Sequence, residues 1–224
     1  AGWETQGLTD DSITIGVMGP FSGNASSYSK AMVGMMAYYQ KVNDDGGVHG
    51  RKLVAVQEDT ACDSAKGLAA AKKLISQDQV FMLQGNSCSG VAVALRPVVE
   101  ESGIPWIVAQ AVSDSISAPL ARNIFHGVPT GSANGRAMAS FVLSKPDTKN
   151  VAIIEHSNDW AHSYSDPAKE YLKEQGITPS LELTMERGQT DATAQVLQLR
   201  EAKPDFIIAA LYEAETAIFL KDLK

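Results

Sequence analysis

Apolar runs of strand length alternate with segments of helical period along this chain, and that alternation constrains the fold more than any other feature. "SITIGVM" (Ser12–Met18) precedes a helical pattern over Ser29–Asn43. "KLVAVQE" (Lys52–Glu58) precedes one that starts near Asp63, with Leu68, Ala71 and Ile75 at i, i+3 and i+7. "VFMLQ" (Val80–Gln84) precedes a helix from Ser89 to about Glu101, and "IPWIVA" and "NIFHGV" are two further short strands. A helix is expected around Asn134–Leu143. "NVAIIE" then precedes a helix over Trp160–Gln175, and "SLELTM" precedes one over Asp191–Ala202, where Ala192, Val196 and Leu199 share a face. "DFIIAAL" precedes a last helix from Glu213. This order predicts an α/β protein with mainly parallel sheets flanked by helices.

A seam is expected near Phe125–Thr130, because "SKPDTKN" restarts the pattern as if a second sheet were beginning. The expected lobes are residues 1–127 and 128–224, the second incomplete. "TAIFLKDLK" stops in mid-helix pattern without a Gly cap or Pro stop, which reads as part of a longer protein. The net charge of −7 argues against a nucleic-acid partner, which would need a basic face. No apolar run approaches the roughly 20 residues of a membrane span, so direct membrane insertion is not expected. The opening "AGWETQGLTDDS" has no apolar h-region and is not an intact signal peptide.

In open parallel sheets, ligands sit beyond the carboxyl ends of the strands. Four polar or glycine-rich turns fall there: "GPFSGNASSY", "GNSCSG", "AQAVSDS" and "HSNDWAHSY". None has the spacing of a phosphate loop. "GNSCSG" (Gly85–Gly90) nearly spells a nucleophile elbow, but Ser89 stands where the last glycine belongs. A nucleophilic Ser87 or Cys88 would also need an oriented base, and the histidines (His49, His126, His156, His162) are poorly placed for that. Ligand binding requires less. A helix opening at Ser89 offers free N–H groups to a carboxylate, with the hydroxyls of Ser87 and Ser89 beside them. Plain capping of that helix by either serine is the structural alternative.

Glu155, His156, Asp159 and His162 fit no standard zinc spacing, so neither a metal nor a cofactor is expected. Trp160 and Tyr164 suit either a lid over an apolar ligand or ordinary helix packing. Cys62 and Cys88 each follow a strand-like run. If those strands are neighbours in one sheet a disulfide is feasible; two buried free thiols are the other reading.

"IGVMGPFSG", "VNDDGGVHGRKLVAVQEDTACD", "GNSCSG" and "ESGIPWI" together resemble the type I periplasmic substrate-binding proteins of ABC transporters, especially those for branched-chain amino acids and related acids. The resemblance runs along essentially the whole chain. Its most specific parts are N-x-x-G-G-x-x-G-x-x-L (Asn43–Leu53) and the cysteine pair. It implies a Cys62–Cys88 disulfide, an extracytoplasmic or periplasmic location, a membrane permease as partner, and two lobes closing about a hinge on a small carboxylate ligand. Carried over, the carboxylate would meet Ser89 and the adjacent Ser87 and Cys88, with a second contact from Gln110, Ala111, Val112 and Ser113. Tyr28, with Phe21 in the same turn, would line the first lobe, and Trp160 and Tyr212 the second. Gln110, Val112 and Trp160 depart from the amino-acid binders, which places aromatic acids beside branched-chain amino acids as expected ligands. The alternatives are a hydrolase-like enzyme using Ser87 or Cys88, and the effector core of a repressor sharing the fold.

Overall fold

The computed structural model describes residues 5–224. The chain divides into two compact units, the first ending at Val128 and the second covering Pro129–Lys224. The first unit contains β1 (Ser12–Gly19), α1 (Lys30–Asp44), β2 (Lys52–Asp59), α2 (Ser64–Ser76), β3 (Met82–Gly85), α3 (Ser89–Ser102), β4 (Trp106–Val108) and β5 (Ile124–His126). The second contains α4 (Gly131–Leu143), β6 (Val151–Glu155), α5 (Asp159–Glu174), β7 (Leu181–Thr184), α6 (Thr193–Ala202), β8 (Phe206–Ala210) and α7 (Glu213–Leu223). Every expected strand and helix is present. The clearest boundary difference is α4, which starts at Gly131 rather than near Asn134. Gly131 reads as a loop residue, but α4 lies so close to α5 that a Cβ there would overlap Ser163.

The first unit is one parallel sheet in the order β2-β1-β3-β4-β5. The central strand β1 is buried by helices on both faces, whereas the edge strand β2 has no fully buried residue. Ile15 and Val17 point to Met32 and Tyr39 of α1. Met18 points to the opposite face, into a core with Leu74 of α2, Val91 and Leu95 of α3, and Trp106 of β4. Two-sided burial explains why β1 reads as a nearly continuous apolar run. The second unit repeats the plan with the parallel order β7-β6-β8. Val151 and Ile153 pack toward α4 and α5, and Ala152 and Ile154 toward α6 and α7.

The strands preceding Cys62 and Cys88 are not neighbours, contrary to the condition set for a disulfide; β1 runs between β2 and β3. The cysteines are nevertheless bonded, with Cα atoms 5.7 Å apart. Both loops bend over the end of β1: Thr60 N–H donates to the Gly19 carbonyl (2.9 Å) and Asn86 N–H to the Met18 carbonyl (2.7 Å). Left-handed backbone at Ala61 (φ 46°) and Cys62 (φ 57°) completes the turn on the β2 side.

The bond closes a loop over a sequence separation of 26 residues. Replacing both cysteines by alanine is expected to lower the unfolding free energy by about 3–4 kcal/mol, the chain-entropy value for such a loop. The shift of the urea midpoint relative to the oxidised protein measures it.

Candidate functional site

In the order β2-β1-β3 the chain leaves β1 to one side and returns on the other. The crevice at such a reversal, beyond the strand ends, is where open parallel sheets receive ligands. In the first unit it is bordered by the turns that follow β1, β3 and β4.

The turn after β1 is held by Asp59 at the end of β2. Its carboxylate accepts N–H bonds from Phe21 (2.8 Å), Ser22 (3.2 Å) and Ala61 (2.8 Å), and a short bond from the Ser22 hydroxyl. Desolvation pushes the Asp59 carboxyl up, but these four donors outweigh it and hold the group below the usual carboxylate range. Phe21 is half-buried against Met32 and its neighbours, and Tyr28 is half-buried with its carbonyl 3.4 Å from Ser87 Oγ.

The turn after β3 is built on a residue the sequence did not single out. Asn86 is fully buried and left-handed (φ 73°), a conformation asparagine tolerates better than most residues. Its N–H goes to β1, its carbonyl accepts from Gln110 N–H (3.1 Å), and its Oδ1 accepts from Cys88 N–H (3.1 Å). One side chain and its peptide groups thus join the ends of β1, β3 and β4. Gly85 before it has φ 108°, and a Cβ there would overlap the Met18 carbonyl.

Cys88 is the N-cap of α3 and makes no side-chain capping bond, because its sulfur is in the disulfide. By contrast α2 is capped by Asp63 and α5 by Asn158. The start of α3 therefore keeps backbone donors that a serine or aspartate cap would occupy. Neither serine caps it. Ser89 is only 2% exposed, and its Oγ accepts from Val112 N–H (3.1 Å) and Ser113 N–H (3.4 Å). Its hydroxyl ties down the β4 turn instead of standing open to solvent. Ser87 Oγ donates to Gln110 Oε1 at 2.9 Å. Along the β4 turn Ala111, Val112 and Ser113 are buried and Gln110 is exposed.

In the second unit the strand order reverses between β6 and β8, and their turns carry aromatic residues. Trp160, in the first turn of α5, stacks on Tyr212 with ring centroids 4.4 Å apart and planes 23° apart. Tyr164 lies one helical turn on, 5.2 Å from Trp160, and burial pushes its hydroxyl up. The Arg187 guanidinium stands 5.4 Å from the Tyr212 ring centre. Trp160 and Tyr164 thus pack together, and Trp160 also joins Tyr212 from another strand end.

The chemical alternatives lose their groups. Cys88 has no thiol, and the Ser87 hydroxyl is directed at an amide oxygen rather than an imidazole. Glu155 is engaged by Lys169 at 3.0 Å and by the Ser165 hydroxyl. Among the described residues no three His, Cys, Asp or Glu side chains group as metal ligands.

A family profile described as periplasmic binding protein matches residues 12–224. The leucine-, isoleucine-, valine-, threonine- and alanine-binding protein of Pseudomonas aeruginosa is 24% identical over 225 residues, covering all of this chain and 60% of that protein. The Leu/Ile/Val-binding protein homolog 7 of Brucella abortus is 27% identical over 218 residues, covering 93% of this chain and 54% of the relative. The chain thus spans between half and two thirds of the length of these relatives. A branched-chain amino acid transporter substrate-binding protein from Streptococcus pneumoniae, solved with isoleucine, superposes with a TM-score of 0.85 at 22% identity, covering 95% of this chain and 61% of that one. An ABC transporter solute-binding protein from R. palustris, solved with benzoate, gives 0.84 at 22% identity, covering 95% and 59%. These structures share the α/β fold class expected from the sequence, with parallel sheets flanked by helices.

Because its folded pKa is lowered, Asp59 contributes stability that is present above the ordinary carboxylate range and lost as pH falls through the depressed value. Amide exchange at Phe21 and Ser22 is therefore expected to lose its protection in acid, and Asp59→Asn to show weakened protection already at neutral pH. Ser89→Ala strands the buried Val112 N–H and is expected to cost about 1–3 kcal/mol of stability, read from urea unfolding.

Proposed function

The chain belongs to the periplasmic binding protein family, and on that premise we propose that it captures a small carboxylate for an ABC transporter. It would work outside the cytoplasm and pass the ligand to a membrane permease. Among the described residues no helix is long and apolar enough to cross a membrane. The role is binding without catalysis.

The observation that carries this reading is the uncapped start of α3 at the reversal of the first sheet. Backbone N–H groups and the positive end of the helix dipole favour an anion there, whatever the net charge of the protein. Gln110 adds to it. With its Oε1 accepting from Ser87, its Nε2 is left as a donor on the exposed side of the turn. In this reading the ligand carboxylate meets the α3 amides from Ser89 onward, with Ser87 and Gln110 beside them. Ser89 acts by fixing the Ala111–Ser113 backbone, and Phe21 and Tyr28 line the first-unit turn. Within the second unit, Trp160 and Tyr212 together offer a flat apolar surface to a ligand.

Two ligand classes suit these groups: branched-chain amino acids, named for the Pseudomonas and Brucella relatives, and aromatic acids such as the benzoate in the R. palustris structure. The Trp160–Tyr212 stack and the amide of Gln110 favour the aromatic acids.

Calorimetry with L-leucine, benzoate and benzamide tests the reading. One of the two carboxylates is expected to bind, with benzamide at least about tenfold weaker, since a hydrogen bond to a charged group contributes about 1.5–3 kcal/mol. Gln110→Ala is expected to weaken the carboxylate by about 1 kcal/mol without changing the urea midpoint. Equal binding of benzamide, or binding of neither acid, overturns the proposal.

A further inference from the structure

A buried polar cluster lies beneath Tyr212, and from it we infer that His156 is a positioning residue that sets the Tyr212–Trp160 wall in a proton-dependent way. The inference rests on the reading that this wall meets the ligand. The cluster itself is independent of that reading.

His156 directly follows β6 and is 1% exposed. Its Nδ1 lies 2.5 Å from the carbonyl of Met185, the residue after β7. A carbonyl only accepts, so Nδ1 carries the proton. Its Nε2 lies 3.0 Å from the backbone nitrogen of Tyr212, just beyond β8. A peptide N–H only donates, so Nε2 presents its lone pair. Two backbone partners thus fix a neutral imidazole in one tautomer, and the ring also lies 4.8 Å from the Tyr212 ring. Glu215, in the first turn of α7, is 5% exposed. Its Oε1 accepts from Gly188 N–H at 2.7 Å, and its Oε2 stands 3.6 Å from His156 Nε2.

One ring nitrogen therefore faces a donor and an acid at once. When neutral, Nε2 accepts from Tyr212. When protonated, Nε2 becomes a donor; it opposes the Tyr212 N–H and matches Glu215 Oε2. Protonation thus exchanges a hydrogen bond to Tyr212 for an ion pair with Glu215. Tyr212 is the N-cap of α7, so losing that bond removes one of the ties that orient the residue whose ring stacks on Trp160.

The other charged groups around the cluster have different partners or stand in solvent. Arg187 lies over the Tyr212 ring, Glu186 accepts from the Ser157 hydroxyl, and Glu155 is held by Lys169 and Ser165. Asp159 at the start of α5 and Glu213 at the start of α7 are exposed.

Trp160 reports on the wall without any ligand. Its emission, taken as the difference between the chain and Trp160→Phe, is expected to pass through a single transition on acidification. Glu215→Gln, which removes the acceptor of the protonated state, is expected to move that midpoint to lower pH. His156→Asn is expected to abolish it. In the unsubstituted chain the imidazole ¹⁵N spectrum at pH 8 is expected to show the Nδ1-protonated tautomer, a measurement that stands even where a variant fails to fold. An Nε2-protonated ring, a flat emission profile, a transition that survives His156→Asn, or an unmoved midpoint in Glu215→Gln overturns the inference. No outcome here depends on the ligand panel, so failure of one proposal is distinguishable from failure of the other.

Discussion

Where a parallel strand ends, its last carbonyls need donors, and the loops on either side of β1 supply them. Met18 accepts from Asn86 and Gly19 from Thr60. These two bonds draw the loops after β2 and β3 over the end of β1, across a strand that keeps β2 and β3 themselves apart. The disulfide is a consequence of that meeting. So is the start of α3, because Cys88, bound to Cys62, stands where a hydroxyl or carboxylate cap would otherwise take up the helix donors. The anion-accepting character proposed for the turn thus begins with the hydrogen-bond requirements of a strand end.

The second unit solves a similar problem with a side chain. In the first unit Asn86 joins three strand ends, mainly through its own peptide groups. In the second, the imidazole of His156 reaches from the end of β6 to the carbonyl after β7 and the amide after β8. A peptide group has fixed polarity, but an imidazole does not. The same architectural task is therefore performed by an inert group in one unit and by a titratable group in the other.

The strands and helices were legible because the central strands β1 and β6 are buried on both faces and the helices on one, and those patterns repeat at periods the sequence displays. Strand order was not. Nothing in the spacing of Cys62 and Cys88 says that β1 lies between the strands before them. The site was legible at the level of turns and less so at the level of side-chain roles. Ser89 has the right residue type for a ligand contact, but its partners Val112 and Ser113 lie 23 and 24 residues away, beyond the reach of any local pattern. Asn86 carries no such signal, because a left-handed asparagine looks like any turn residue until its bonds are known. His156 had a signal: a polar aromatic placed directly after an apolar strand, where burial obliges both ring nitrogens to find partners.

The β4 turn holds three buried residues in place and leaves Gln110 exposed, so the two demands on this segment fall on different positions. Ala111, Val112 and Ser113 answer to packing and to the Ser89 hydroxyl; position 110 answers to whatever approaches from outside. If position 110 meets the ligand as proposed, mutation can explore new ligand chemistry there at little risk to folding. On that proposal a lineage carrying this turn can change what it recognises by small steps, each from one viable protein to another.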